Sequence, residues 1–210
     1  MIVAHLGSGA SLCAMLEGKS VATTMGFSPL DGLVMSTRCG ALDPGVVLYL
    51  MRERGMRAEE VASLLYHQSG LLGISRITRD MQRLLESDSP AAREAVDVFV
   101  YRAGREIGSL AAALGGLDTL VFTAGIGENS PAIRELIGGA ASWLGVEVDS
   151  DLNLKGERSI STAASKVRVL VVPTDEEVEV AREALRLLEG DESDQGRGKL
   201  TANQTDGEER

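Results

Sequence analysis

The sequence predicts an α/β domain in which helices cover a mixed β-sheet. Two observations lead to this fold class. The chain opens with short strand-like segments that turn back on one another, and it closes with two units in which an apolar strand leads into a helix. Between them lies a block with helical spacing. Hairpin strands pair antiparallel and strands joined through helices pair in parallel, so one sheet that contains both kinds is mixed.

Three strands are expected in the N-terminal unit. The first, Ile2–Leu6, runs directly into the turn Gly7-Ser8-Gly9, and two more lie on either side of Glu17-Gly18-Lys19. Residues 25–42, rich in Gly, Ser and Thr, are expected to be irregular. Because strand-like sequence begins at the first residue, we expect the chain to be the downstream part of a longer protein.

The middle of the chain is expected to be helical. Helices are predicted to begin at Pro44, to cover 58–66 and 80–86 and, as the longest, to run from Pro90 to the glycine pair at 115–116. Gly104 and Gly108 lie inside the longest helix, where glycine lowers helix propensity, so they are expected to permit close packing. The glycine-rich residues 69–73 are expected to form a turn.

Two strand-to-helix units follow. An apolar strand at 117–122 leads through a glycine turn into a helix that Ser130-Pro131 begins, as N-cap and first-turn proline. A second apolar strand, at 167–172, leads into a helix after Pro173. Both strands are short and rich in β-branched residues, which is typical of buried strands.

Composition limits the classes of function. With 210 residues the chain can bury a sizeable core, and a net charge of −10 argues against nucleic-acid binding, which requires clustered Lys and Arg. No apolar window is long enough to cross a membrane, and no signal peptide is visible. Cys13 and Cys39 lack metal-ligand spacing and are interpreted as reduced thiols of a cytoplasmic protein. A disordered acidic and polar tail, 190–210, is predicted to follow a lobe over 1–189.

Three glycine-bearing segments are candidates for holding the phosphates of a nucleotide, because glycine lets backbone amides approach a ligand without a Cβ in the way. They are His5 to Gly9, Gly70 to Gly73, and Gly125-Ile126-Gly127. For each, an ordinary tight turn is the alternative, and His5 can instead be a core histidine whose hydrogen bonds are satisfied within the fold. None of the three is followed by the Lys-Ser/Thr of a P-loop.

Two charged residues are candidates for the chemistry. Arg38 lies among small residues, from which its planar guanidinium can reach a transferring phosphoryl group; a surface arginine on a loop is the alternative. Glu176 can bind Mg²⁺, because the capping pattern Thr174-x-x-Glu177 leaves it available, and its alternative is a solvated acid in the first turn of a helix. Asp80 can likewise be an ordinary acid at a helix start.

Five segments closely resemble the acetate kinase family and stand in that family's order. They are His5-Leu6-Gly7-Ser8-Gly9-Ala10-Ser11, Met25-Gly26-Phe27-Ser28-Pro29-Leu30-Asp31-Gly32-Leu33, Ser36-Thr37-Arg38-Cys39-Gly40-Ala41-Leu42-Asp43-Pro44, Phe122 to Ser130, and Pro173-Thr174-Asp175-Glu176-Glu177. The resemblance extends from residue 1 to about residue 189 and is to the C-terminal half of the family. It implies an actin-like ATPase fold, here one ribonuclease H-like lobe whose mixed sheet is flanked by helices.

The resemblance also implies an activity and its site residues. Members transfer the γ-phosphoryl group of ATP reversibly to acetate, giving acetyl phosphate and ADP, with Mg²⁺ or Mn²⁺ as the metal. By position, Arg38 would stabilise the transition state and Glu176 would hold the metal. The residues implied to bind ATP are His5, Leu6, Gly7, Ser8, Gly9, Asp80, Met81, Gln82, Gly125, Ile126, Gly127, Glu128 and Asn129.

The chain departs from the family in three respects. Ser8 stands where the family usually has asparagine, so a weaker phosphate contact is expected, and Gln82 stands where it often has arginine. The N-terminal lobe, which in the family supplies the active-site aspartate and a substrate-binding arginine, has no counterpart in this sequence. Because an in-line phosphoryl transfer needs groups on both sides of the phosphorus, the isolated chain is expected to be a poor catalyst or inactive.

Several partners and alternatives are open from sequence. The resemblance implies ATP and acetate or acetyl phosphate as ligands, a homodimer through this lobe, and a separately encoded N-terminal lobe if the enzyme is split. The alternatives are a non-catalytic nucleotide-binding or dimerisation module and a kinase for a longer acid such as propionate or butyrate. Neither nucleic acid nor a membrane is expected as a partner.

Overall fold

A computed structural model describes residues 1–189 of the chain. The side chains in this range that lie outside the description are those of Glu176, Leu188 and Glu189. The chain divides into two units, Met1–Pro173 and Thr174–Arg210. The predicted tail, 190–210, lies outside the described residues, so its disorder and the domain boundary before it stay predictions.

One mixed sheet organises the first unit. Its strands are β1 (Ile2–Leu6), β2 (Ala10–Leu16), β3 (Lys19–Thr23), β4 (Thr119–Thr123) and β5 (Arg168–Val171). Their spatial order is β3-β2-β1-β4-β5. β1 pairs antiparallel with β2 and β2 with β3, whereas β4 pairs in parallel with both β1 and β5. The predicted α/β fold with a mixed sheet is therefore confirmed.

Burial along the strands follows their place in the sheet. In β1 every second side chain, at Ile2, Ala4 and Leu6, is fully buried, because successive side chains of a strand point to opposite faces. In β4 the run from Leu120 to Thr123 is buried on both faces, as expected for a strand with parallel neighbours on each side.

The helices of the first unit surround this sheet in sequence order. They are α1 (Pro44–Arg52), α2 (Ala58–His67), α3 (Gly70–Ser75), α4 (Met81–Leu85), α5 (Pro90–Leu114), α6 (Ala124–Asn129), α7 (Pro131–Ala140) and α8 (Ser150–Lys155), with a 3-10 turn at Ser142–Leu144. Two predictions were wrong, because the segments predicted to be glycine turns form α3 and α6. The sequence analysis also missed α8, which is too short to show a periodic pattern.

The longest helix, α5, forms much of the core. Its start at Pro90 and its end before Gly115, which has a left-handed φ of 72°, are as predicted. A Cβ on Gly104 would come within 2.9 Å of the Cβ of Ala140, and one on Gly108 within 3.3 Å of the Trp143 ring. The predicted close packing at both glycines is therefore confirmed.

The second unit contains α9 (Glu176–Glu189). The carboxylate of Asp175 accepts a hydrogen bond from the backbone amide of Val178 at 3.1 Å, a helix cap that the sequence analysis did not assign to it. Over residues 1–189, no helix combines the length and the apolar character needed to cross a membrane.

Candidate functional site

The first glycine turn is the loop of a hairpin. Gly7-Ser8-Gly9 joins β1 to β2, and the amide of Gly7 donates to the carbonyl of Gly9 at 2.9 Å. Ser8, at its tip, is exposed. A Cβ on Gly9 would lie 3.7 Å from both terminal guanidinium nitrogens of Arg38. The second glycine of the turn therefore leaves room for the arginine to approach the backbone.

The backbone around Arg38 is held in place by α3. Three amides at the start of this helix donate to the carbonyls of residues 35, 36 and 37, at 2.9–3.0 Å. Gly70 has a left-handed φ of 61°, and a Cβ there would collide with the carbonyl oxygen of Met35. The glycines at 70–73, considered as a phosphate loop from sequence, thus support residues 35–38 instead.

Residues 35–38 in turn hold the first glycine turn. The amide of Ser36 donates to the carbonyl of Ser8 at 3.1 Å. The half-buried Arg38 donates through Nη1 to the carbonyl of Pro29 at 2.9 Å, with the sulfur of Met35 3.4 Å from the same nitrogen. The arginine is therefore oriented by neutral partners, and its charge is available to an anionic ligand.

The start of α4 contributes a third segment. The Asp80 carboxylate accepts from the amide of Arg83 at 3.0 Å, so it caps the helix, which was its alternative reading. Gln82 donates from Nε2 to the carboxylate of Glu86 at 2.9 Å. An arginine at position 82 would be placed one turn from the same carboxylate.

The fourth segment is α6, which begins directly at the end of β4. Ala124 has a left-handed φ of 66°, and its amide donates to the Glu128 carboxylate at 2.8 Å. Gly127 is buried, and a Cβ there would touch the backbone of Phe122 at 3.4 Å, whereas one on Gly125 would meet nothing within 4 Å. The two glycines therefore differ: Gly127 packs against the sheet, and Gly125 faces open space.

These four segments surround one cavity of about 1030 Å³. It brings together nine of the residues predicted to act, which are Gly7, Ser8, Arg38, Asp80, Met81, Gln82, Gly125, Ile126 and Asn129. The predicted residues that do not line it are His5, Leu6, Gly9, Gly127 and Glu128. Leu6 is fully buried in the core, so its side chain cannot touch a ligand.

The size and charge of the cavity suit a phosphorylated ligand. Its volume is at the upper end of the roughly 300–1,000 Å³ typical of small-molecule sites. Two arginines, Arg38 and Arg79, line it together with the carboxylates of Asp80 and Glu86. Half-buried Cys39 follows Arg38, and burial raises the pKa of its thiol, so it remains protonated at neutral pH.

No metal cluster is visible in the described part of the chain. Among the side chains that the structure describes, no three His, Cys, Asp or Glu residues lie close enough to hold an ion. The side chain of Glu176, predicted to bind the metal, lies outside the described residues. Its metal role therefore stays a prediction.

The sequence analysis missed a buried cation beneath α6. Arg134, in α7, is fully buried and donates from Nη1 to the carbonyls of Gly127 and Glu128, at 3.0 and 2.7 Å. A signal was present, because Arg134 stands between Ile133 and Ile137 on the buried face of α7. A charged residue on an apolar helix face requires partners when it is buried.

Comparison with known proteins gives a consistent result. The family profile described as Acetokinase family matches residues 1–182. An acetate kinase of Rhodopseudomonas palustris (strain TIE-1) is 58% identical over 192 residues, which are 90% of this chain and 48% of that protein. An acetate kinase of Rickettsia akari is 54% identical over 187 residues, 89% of this chain and 49% of that protein. The chain thus spans about half the length of the curated relatives it matches.

Solved structures show the same relation. The acetate kinase of Porphyromonas gingivalis matches 89% of this chain and 48% of its own, with a TM-score of 0.82 and 39% identity. A propionate kinase from Francisella tularensis matches 87% of this chain and 48% of its own, with a TM-score of 0.83 and 39% identity. These neighbours confirm the expected fold, that of the actin-like ATPases.

Proposed function

Since this chain belongs to the acetokinase family, we propose that it is the C-terminal, nucleotide-binding lobe of an acetate kinase. The whole enzyme would transfer the γ-phosphoryl group of ATP reversibly to acetate, giving acetyl phosphate and ADP. The observation that carries this proposal is the cavity of about 1030 Å³, because it joins segments far apart in sequence that each carry a residue suited to a nucleotide.

The roles follow from what each segment offers to the cavity. The turn at Gly7 and Ser8 offers backbone groups with no bulky side chain, which suits phosphate oxygens. Gly125 and Ile126 offer an open backbone and an apolar surface on the other side, which suits the nucleoside. The remaining residues of the proposed ATP set, His5, Leu6, Gly9, Gly127 and Glu128, would act by shaping these two turns.

Arg38 would stabilise the charge that spreads over the equatorial oxygens of the transferring group. Its guanidinium is a fixed cation at the cavity, held by the carbonyl of Pro29 rather than by a carboxylate. A cation placed in advance costs little reorganisation during the reaction, which is why such groups lower the barrier. Asp80, Met81 and Gln82 line the same cavity and would contact the nucleotide.

Mg²⁺, or Mn²⁺ in its place, would be supplied with the nucleotide. Magnesium usually keeps several waters and needs few protein carboxylates besides phosphate oxygens, so the absence of a three-residue cluster among the described side chains is compatible with it. Glu176 is the proposed protein ligand, and the metal would neutralise phosphate charge.

The acid and the second lobe belong to the same proposal. An in-line transfer needs groups on both faces of the phosphorus, so a complementary N-terminal lobe would be required for turnover. The relation to a propionate kinase keeps a longer acid as an alternative substrate. A non-catalytic nucleotide-binding or dimerisation module is the other alternative, and the missing length of the relatives is what favours it.

We also propose a homodimer in the cytoplasm. Helix α1 buries no residue, and its Leu48 and Tyr49 are about half exposed, which suits a surface that pairs with a second copy. Cys13 and Cys39 are both free thiols, in keeping with a reducing compartment.

The experiment is a calorimetric titration of the purified chain with Mg-ATP, followed by mixing with the N-terminal half of the Rhodopseudomonas palustris enzyme and assay of acetyl phosphate. We expect ATP binding by the chain alone and turnover only in the mixture. Arg38→Ala should keep most of the binding and lose turnover by about 10³-fold. Arg93→Ala, which removes an exposed cation of α5, is the control. A folded chain that does not bind ATP would contradict the proposal.

A further inference from the structure

Arg134 joins three elements beneath the cavity. Besides its two bonds to the end of α6, it donates from Nε to the side-chain oxygen of Asn153 at 2.7 Å and from Nη2 to the carbonyl of Asn153 at 2.8 Å. Asn153, in α8, donates in turn to the carbonyl of Pro131 at 2.9 Å and to the carboxylate of Glu135 at 3.2 Å. The guanidinium thus uses all three of its nitrogens to fix α6 against α7 and α8.

Helix α6 needs such a partner, because it is only six residues long. The helix begins with Ala124 in a left-handed conformation and ends at Ser130, whose backbone is not helical. The last carbonyls of a helix have no partner within it and form its negative end. Arg134 supplies both hydrogen-bond donors and positive charge to the carbonyls of Gly127 and Glu128.

The arginine is held by neutral groups. Its four hydrogen bonds go to three carbonyl oxygens and one side-chain amide oxygen, and burial lowers the pKa of its guanidinium. An arginine nevertheless stays charged at neutral pH. A buried cation without a direct carboxylate partner is costly, so its burial here needs a compensating role.

We propose that Arg134 is a positioning residue for the nucleotide site. It does not line the cavity, but it holds Gly127 and Glu128, while Gly125, Ile126 and Asn129 of the same short helix do line it. Loss of the guanidinium would let α6 move relative to the strands and displace those three residues. This inference rests on the proposed function, because the ligand of the cavity is taken to be a nucleotide.

The test uses Arg134→Lys with two readouts. Lysine keeps the charge but lacks the planar fork, so it can serve α6 or α8 and not both. We expect amide hydrogen exchange of α6 to become at least about tenfold faster while that of β4 is unchanged, and the Kd for Mg-ATP to rise about tenfold. Arg134→Met, which leaves every partner unsatisfied, should enlarge both effects if it folds.

A control variant separates positioning from general loss of stability. Leu12→Ala creates a cavity in β2, outside the Arg134 contacts, and should lower the melting temperature without changing the Kd. Asn153→Ala removes the side-chain partner of Nε on the α8 side and should give an intermediate rise in Kd. If Arg134→Lys bound Mg-ATP as tightly as the wild type, the inference would be overturned. Failure of the wild type to bind would instead remove the proposed function, and that result needs no variant.

Discussion

Two glycine turns lie side by side at one edge of the sheet, yet they are supported in opposite ways. Gly7-Ser8-Gly9 follows β1 and the turn at Ala124 follows β4, its parallel neighbour. The two meet where a Cβ on Gly7 would lie 3.6 Å from that of Ala124. The first turn is an exposed hairpin loop tied to residues 35–38 by the bond from Ser36. The second is a short helix held from beneath by Arg134.

The difference shows that a glycine pair after a strand does not by itself identify a ligand loop. In the first turn Gly9 makes room for a side chain, Arg38. In the second turn Gly127 makes room for the sheet, and Gly125 opens toward the cavity. Equivalent sequence signals therefore serve approach of a cation, packing and ligand access at three neighbouring positions.

The largest expected effect concerns the support of the first turn. Gly70→Ala would place a Cβ against the carbonyl oxygens of residues 35 and 38 at a left-handed φ of 61°. We expect the free energy of unfolding to fall by about 3 kcal/mol, measured with denaturant. Gly55→Ala is the matched control: its φ is 66° with nothing within 4 Å, so about 1 kcal/mol is expected. Equal losses in the two variants would contradict the proposed support.

A smaller loss is expected in the second turn. Gly127→Val would push two further carbons toward the backbones of β1 and β4, so the free energy of unfolding should fall by about 2 kcal/mol. Gly127→Ala, whose Cβ meets Phe122 at an ordinary 3.4 Å, should cost much less. Thermal unfolding of the pair is the measurement, and a Val variant as stable as the Ala variant would show that Gly127 is not packed.

The neighbouring glycine should affect binding and not stability. Gly125→Leu adds a side chain beside the cavity without meeting any atom within 4 Å, and leucine favours a helix over glycine. We expect Mg-ATP affinity to fall about tenfold while the melting temperature does not fall. Gly139→Leu, an exposed glycine of α7 with the same open surroundings, should change neither property. Unchanged affinity in Gly125→Leu would remove α6 from the site.

The smallest effect is on the pH dependence of stability. Burial raises the pKa of the Cys39 thiol, so the folded state holds this proton more tightly than the unfolded chain. Its contribution to the free energy of unfolding is complete below the ordinary thiol range, about 8.5, and is lost as the pH rises through the raised pKa. Denaturant unfolding at pH 7 and pH 10 should show a steeper loss for the wild type than for Cys39→Ala. A steeper loss in the variant would reverse the sign.

Most of the fold could be predicted from sequence, because its signals are local. Alternating burial in β1, the cap at Asp43 and the glycine after α5 are each set by residues within a few positions. The family was also accessible, since its five motifs lie in contiguous segments. Helices α3 and α6 were not, because glycine-rich segments of six residues carry no periodic pattern and depend on contacts from elsewhere.

The sequence by itself thus determined the order of the elements, the mixed sheet and the candidate residues around Arg38 and Gly125. Tertiary structure decided which glycines face the cavity and which face the sheet, and it revealed Arg134 as the support of α6. The physical reason is that capping and amphipathic spacing act over neighbouring residues. Burial of a cation instead requires carbonyl oxygens from three different elements, and only the folded chain brings those together.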